Sequence, residues 1–342
     1  MKALVTGANG FIGTFLVEEL LKDDHEVRCL VLQGESVKSL DESSVQIFFG
    51  DVTRIDTLQA PLDGVDYIFH LAAVKNAWEE VTYRQVNLVG TKNVLDVAER
   101  VAPELKRLIF VSTLAAAGPS SDGRAITEDD VCRPLGSYGK TKLEAEQYLM
   151  SHRDRVPITI VRLTAAYGPR NEGVSLMGWL LTMAERGWVF QVGKNGQMAS
   201  PVHVLDVVRG LILAAQHPSS AGQIYFLAGP ENLTLREITS LCFDIWDKKG
   251  RIFPVPRILA KTALDVAKLY RRVRGRPVLL LNDIGRQMLE KFWICSSEKI
   301  RSELGFEPKI TLRQGLKSVI DWYERTPGVP LLPPGTPPQA NA

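Results

Sequence analysis

Three glycines spaced three apart, in Gly7-Ala8-Asn9-Gly10-Phe11-Ile12-Gly13, follow a short apolar run at residues 2–6 and precede a helical pattern at 11–22. That context restricts the fold more than any other feature of the chain. A strand that turns at once into a helix needs a residue tolerant of positive φ, and a helix lying close on its strand needs a position without Cβ. Gly7 then permits the tight turn, Gly10 lets a pyrophosphate approach the backbone, and Gly13 allows close helix–strand packing. The free N–H groups and the dipole of the helix N-terminus favour phosphate charge. A glycine turn alone is weak evidence. With a strand before it and a helix after it, it reads as a dinucleotide cradle.

The rest of the first half repeats the alternation. Apolar runs at 27–32, 45–49, 67–70, 108–112 and 158–163 read as strands, separated by helical patterns around 80–101 and 137–152. Such alternation predicts βαβ units, a parallel sheet covered on both faces, and a ligand beyond the strand carboxyl ends. Beyond Tyr167-Gly168-Pro169 the pattern loosens. Residues 202–206 and 223–227 read as strands returning to the sheet, and 173–187 and 234–246 as helices. The expected fold is α/β: a Rossmann-type doubly wound parallel sheet with a smaller, discontinuous C-terminal substrate domain. The expected division is 1–165 with 200–228 for the dinucleotide, 166–199 with 229–326 for the substrate, and a proline-rich tail at 327–342. The tail is too rich in proline to be more than an extended or disordered end.

Bulk properties exclude several classes. A formal charge of +2 predicts no strong attraction to nucleic acid or to an anionic membrane. Cys29, Cys132, Cys242 and Cys295 are far apart with no CxxC pair, which fits reduced thiols in a cytoplasmic protein and suggests no metal site. Met1-Lys2 runs straight into the first strand, so no signal peptide is expected, and no apolar run approaches the ~20 residues that span a bilayer.

Tyr138 and Lys142 stand four residues apart in Ser137-Tyr138-Gly139-Lys140-Thr141-Lys142, so a helix carries both on one face. A phenol has a pKa near 10, and a nearby lysine cation favours the phenolate, moving it toward the range useful for acid–base catalysis. Further segments follow in order: Gly50-Asp51-Val52, His70-Leu71-Ala72-Ala73, Val86-Asn87-Leu88-Val89-Gly90-Thr91, Val111-Ser112-Thr113 and Tyr167-Gly168-Pro169-Arg170. With the GxxGxxG spacing of the turn, this ordered series resembles the extended short-chain dehydrogenases/reductases, the NAD-dependent epimerase/dehydratase superfamily, over most of the chain to about Glu324.

The resemblance implies an enzyme with Tyr138 as general acid/base, Lys142 lowering its pKa while binding the nicotinamide ribose, and Thr113 bonding the substrate oxygen, with Ser112 in reserve. It implies cofactor contacts at Gly7, Asn9, Gly10, Phe11, Ile12 and Gly13, and at Asp51 and Val52 beside the adenine. Leu71, Ala72, Ala73, Asn87, Ser112, Pro169, Tyr138 and Lys142 would complete the lining. His70, taken alone, is more often a structural strand-end histidine than a catalyst. The cofactor is NAD or NADP. No acid stands at or near Val31, where an NAD site usually places one, yet Leu32 holds no arginine; Lys38 and Arg28 are the candidate substitutes. The balance leans slightly to NADP.

Within the family, dehydratases carry Asp-Glu directly after the active-site threonine, because elimination needs an extra acid and base; here Leu114 and Ala115 stand there. Epimerases carry an arginine before the later H-V segment to clamp a diphosphate; here the segment is Ala199-Ser200-Pro201-Val202-His203-Val204, with Arg170 as a substitute. The C-terminal half instead resembles the branch of 3β-hydroxysteroid dehydrogenases and dihydroflavonol reductases, through Pro254-Val255-Pro256, Gly275-Arg276-Pro277, Phe292-Trp293-Ile294-Cys295 and Leu304-Gly305-Phe306-Glu307-Pro308. The amphipathic stretch 257–274 between them is read as a lid or packing helix, a greasy substrate mouth, or a peripheral membrane contact.

The expected function is therefore NAD(P)-dependent interconversion of a secondary alcohol and a ketone on a fairly apolar small molecule. The alternatives are a nucleotide-sugar epimerase, with transient oxidation by bound NAD, and a non-catalytic cofactor sensor. Relatives often form homodimers through helices in the regions of 80–101 and 137–152.

Overall fold

The computed structural model describes residues 1–77, 79–171, 176–194, 196–274 and 283–326. The expected Gly275-Arg276-Pro277 segment, the tail from Pro327 and the start of the expected 173–187 helix lie outside them. The centre is a parallel sheet of seven strands: β1 (Lys2–Thr6), β2 (Glu26–Val31), β3 (Gln46–Phe49), β4 (Tyr67–His70), β5 (Arg107–Thr113), β6 (Ile158–Leu163) and Gln223–Leu227. Their spatial order runs Gln223–Leu227, β6, β5, β4, β1, β2, β3. Strand order reverses between β1 and β4, so the glycine turn leaves β1 at the point where open α/β sheets bind ligands.

Both faces are covered, which is why the inner strands read as unbroken apolar runs; all six residues of β6 are buried. Leu16, Val17 and Leu20 of the first helix (Phe11–Lys22) join Val207, Val208 and Leu211 on one face. On the other, Val94, Leu95 and Ala98 of helix Gly90–Val101 meet Ala145 and Leu149 of helix Ser137–Met150. Deleting any of these leucine side chains would leave a cavity costing about 2–5 kcal/mol.

Residues 202–206 depart from expectation. Val202–His203 is a two-residue strand paired with Ala166–Tyr167 outside the main sheet, and Val204–Gln216 is a helix. His203 accepts a hydrogen bond from Leu205 N as the helix N-cap, and Asp206 is fully buried. Both Asp206 oxygens are bonded, to Lys309 N and Ile310 N. The branched residues suited to a strand sit here on the buried face of a helix, so tertiary cover overrides local preference.

A second core gathers the helices Leu176–Glu185, Leu235–Ile245 and Leu312–Arg325 around Leu180, Leu181, Ile238, Phe243, Leu316 and Val319. The latter two helices start with capping boxes, Thr234 with Glu237 and Thr311 with Gln314. Beside this core, Trp188–Val192 and Arg251–Val255 form a parallel pair, followed by helix Arg257–Arg274. Among the described residues, no helix is long and apolar enough to cross a membrane.

Candidate active site

The turn after β1 is built as its glycines require. Gly7 has φ +67°, and a Cβ there would meet Ala72 N at 3.0 Å. A Cβ on Gly13 would lie 2.2 Å from Gly7 O, and one on Gly10 3.1 Å from the same oxygen. Gly10 caps the first helix with no side-chain hydrogen bond, and the first helical turn, from Phe11 and Ile12, carries no acid. A narrow cradle leading to an uncapped helix N-terminus fits a dinucleotide diphosphate.

The segment after β4 forms the adjoining wall. Leu71 N donates to Thr6 O and Ala72 N to Thr6 Oγ1, which draws residues 71–73 against the glycine turn. Asn87 is fully buried and clamps the next residue: its Oδ1 accepts from Val74 N at 2.8 Å and its Nδ2 donates to Val74 O at 3.0 Å. Asn87 lies in a widened helical turn, Arg84–Val89, of the π type that recurs at functional sites. Its amide is thus spent on holding the wall that includes Ala73. His70 is structural. Thr91 donates to Asn87 O, so His70 Nε2–H donates to Thr91 and the Thr6 hydroxyl donates to His70 Nδ1. Burial pushes this histidine down to about 3, with the Lys142 ammonium adding to the effect.

After β3, Asp51 Oδ1 accepts from Thr53 N at 2.8 Å, and Val52 is buried against Gly90, where a Cβ would come within 2.6 Å of it. Asn9 of the glycine turn donates through Nδ2 to Glu35 Oε2 at 2.7 Å and to Ser36 O at 3.3 Å. A carboxylate therefore stands beside the cradle, although none ends β2. Arg28 is turned elsewhere, donating to the carbonyls of Ala60, Pro61 and Asp63. It cannot serve a 2′-phosphate, and that expectation is corrected. Arg170, next to Pro169, is likewise engaged: it forks onto both Glu18 oxygens and lies 3.8 Å over the Phe15 ring, which removes it as a substitute diphosphate clamp.

The reacting end combines β5 with helix Ser137–Met150. Gly139 lets the two approach, since a Cβ there would lie 2.2 Å from Ala115 O. Thr113 caps the short helix Leu114–Ala117, accepting from Ala115 N, and hydrogen bonds to Tyr138. Burial pushes the Tyr138 phenol up to about 12 against the opposing effect of the Thr113 bond, with Tyr83 adding to the rise. The sequence expectation was the reverse. Its physical failure is that Lys142 does not turn its charge on the phenol: Nζ donates to Val111 O at 2.7 Å and sits 3.7 Å over the Phe110 ring. Lys142 is 1% exposed, and burial brings its pKa down to about 7, opposed by Glu146.

Ser112 faces away from Tyr138, donating to Glu146. Glu146 also receives a fork from Arg162 (Nη2 at 2.7 Å, Nε at 3.1 Å), both side chains being buried. The pair lies one helical turn behind Lys142, and its spacing across helix and β6 hid it from sequence reading. Leu114 and Ala115 are buried and bring no acid, and Ala199 is buried in a short strand between Leu233 and Trp293. Among the described residues no group of three or more His, Cys, Asp or Glu could hold a metal ion.

Comparison with known proteins adds four findings. Residues 3–228 match the model of the NAD dependent epimerase/dehydratase family. A 3 beta-hydroxysteroid dehydrogenase/Delta 5-->4-isomerase of Mycobacterium tuberculosis is 28% identical, over 94% of this chain and 90% of that protein. A 4-hydroxy-2-methyl-3-oxo-4-farnesyl-3,4-dihydroquinoline-1-oxide ketoreductase of Stigmatella aurantiaca is 26% identical over 93% and 96%. Among solved structures, UDP-glucose 4-epimerase of Thermotoga maritima has the same fold, with a TM-score of 0.78 at 23% identity, over 95% and 99% of the two chains.

Proposed function

The chain belongs to the NAD-dependent epimerase/dehydratase family, and from that premise we propose that it interconverts a secondary alcohol and a ketone on a fairly apolar small molecule. The observation that carries this reading is the Thr113–Tyr138 hydrogen bond beside the cradle, with apolar Leu114 and Ala115 where elimination would need two carboxylates. The glycine turn from Gly7 to Gly13 would hold NAD, which when bound would supply the carbon that gives up or accepts hydride. Thr113 and Tyr138 hold the substrate oxygen between them. In reduction Tyr138, protonated at neutral pH, gives its proton to that oxygen as the carbonyl becomes an alcohol; in oxidation it takes the proton back. Lys142 spends one N–H on Val111 O, and a protonated ammonium has two more to offer ribose hydroxyls.

An apolar substrate is supported by the two expected clamp positions, neither of which offers a free arginine: Ala199 stands at one, and Arg170 is tied to Glu18. The ketoreductase and hydroxysteroid dehydrogenase relatives are named for apolar polycyclic compounds, which agrees. For the cofactor we infer a preference for NAD rather than NADP, reversing the slight lean drawn from the missing acid at Val31. Glu35 supports it, because a carboxylate bonded to Asn9 at the cradle repels a 2′-phosphate.

The test is a parallel assay with NADH and apolar ketones and with NAD and UDP-hexoses. Net loss of nicotinamide absorbance with ketones, and no hexose interconversion, is expected. Hexose epimerisation without net cofactor change would replace this reading by the epimerase one.

A further inference from the structure

The surface around the end of the second domain is unusual in two respects that are physically linked. Helix Arg257–Arg274 has an apolar line through Leu259, Ala263 and Val266, at the spacing that brings residues onto one side. A helix packed on its own protein buries such a line. Here Leu259 is 58% exposed, Val266 60% and their neighbour Ile258 77%, while the half-buried positions are Ala260 and Leu264, a separate i, i+4 line. Over residues 257–266 the helix rests on the protein by one side and turns its more apolar side to water. The strand before it does the same. Trp188, Phe190 and Phe253 are exposed on the outer face of the two-stranded sheet, with ring centroids 5.3 Å apart for Trp188–Phe190 and 5.5 Å for Phe190–Phe253. Only Pro256 separates that strand from the helix.

The charge distribution says what covers this surface. Arg257–Arg274 holds six basic residues against Asp265 alone, a net +5, in a chain whose total is +2. The remainder of the molecule is net negative, so the net positive charge belongs to this helix, and Arg251, Arg257 and Lys261 are exposed beside its apolar side chains. Arg251 pairs in register with Trp188, and a cavity of about 370 Å³ beside the helix start is lined by Lys194, Arg257 and Lys291 together with Glu290. Interfacial tryptophan and phenylalanine, exposed aliphatic residues and clustered basic groups are the combination that binds the headgroup region of an anionic bilayer.

We propose that the strand pair Trp188–Val192 with Arg251–Val255 and helix Arg257–Arg274 form a peripheral docking surface for an anionic lipid bilayer. Aromatic and aliphatic side chains enter the headgroup boundary, and the basic groups meet lipid phosphates. The helix lies along the surface and does not cross it. The proposal is independent of the reading of the reaction.

The test uses the purified full chain, sedimented with vesicles of phosphatidylcholine alone or with phosphatidylglycerol added. Binding is expected to the anionic vesicles, weakening as salt is raised. Arg251→Gln with Lys261→Gln should lower the partition coefficient by about tenfold or more, since each basic group near such a surface contributes about fivefold. Leu259→Ser with Val266→Ser should lower it at least as far. Both variants change exposed residues that make no described contact with Tyr138 or Thr113, so their circular dichroism and turnover serve as checks on folding. No binding to anionic vesicles overturns the proposal. So does undiminished binding by the serine variant, which would mean unspecific charge adsorption. A dimer seen by light scattering that the serine variant dissociates, with vesicles unbound by either protein, overturns it in favour of a second copy of this chain.

Discussion

Lys142 is held in a place that opposes its charge, and its replacement by methionine turns that cost into a measurement. The ammonium is buried, and its pKa falls from 10.5 to about 7. At about 1.4 kcal/mol for each pH unit, the protonated native state bears a penalty on the order of 5 kcal/mol, as an upper bound, below pH 7. The bond to Val111 O and the contact over Phe110 offset it by about 1 kcal/mol each. Lys142→Met should therefore stabilise the protein by about 2–3 kcal/mol at pH 6 while abolishing turnover, the trade expected of a functional residue. The sign follows from linkage: between the native pKa and 10.5 the unfolded chain binds the extra proton, so wild-type stability rises with pH there. The advantage of the variant should shrink by about 3 kcal/mol on going from pH 6 to pH 9.5. Thermal melting of both proteins at the two pH values, without cofactor, reads this as a difference of several degrees that narrows or reverses. A variant that melts lower than wild type at pH 6, or a gap that does not change with pH, would refute the reasoning.

Three further outcomes follow from the same site. Glu146→Gln leaves Arg162 buried without its counter-charge and should cost about 3–5 kcal/mol by denaturation; the double variant Glu146→Leu with Arg162→Met should recover most of it, and failure to recover would show that the pair does more than balance itself. Glu35→Gln should raise the efficiency with NADPH relative to NADH about tenfold, read from kcat/KM, and an unchanged ratio would remove Glu35 from cofactor choice. Because burial holds the Tyr138 phenol up at about 12, ketone reduction should be level between pH 7 and 9, whereas alcohol oxidation, which needs the phenolate, should climb with pH; a falling oxidation profile would contradict that protonation state.

What could be read from the sequence is what depends on neighbours along the chain. The glycine turn was legible because Gly7, Gly10 and Gly13 answer to backbone distances set within seven residues. The Tyr138–Lys142 spacing correctly put both on one helix, and in the structure Thr113 hydrogen bonds to the phenol while Ser112 donates to Glu146. The direction of the Lys142 ammonium was not legible, because it is fixed by Val111 and Phe110 on another element. Glu35 beside Asn9 and Arg162 on Glu146 were hidden for the same reason: each joins separate segments, with no spacing rule between them. The helix Val204–Gln216 was misread in its first turn because branched residues look alike on a buried strand and a buried helix face. The exposed line on helix Arg257–Arg274 shows the opposite limit, since amphipathic periodicity names an apolar side without saying what it meets.

The central claim, that Tyr138 carries the proton in a hydride transfer, is tested most directly by Tyr138→Phe in two assays on one preparation. Calorimetric titration with NADH should give an affinity within about twofold of wild type, because the cradle from Gly7 to Gly13 is untouched, while turnover of an accepted ketone should fall by at least about 10²-fold. Turnover at the wild-type rate with NADH still bound would contradict the account.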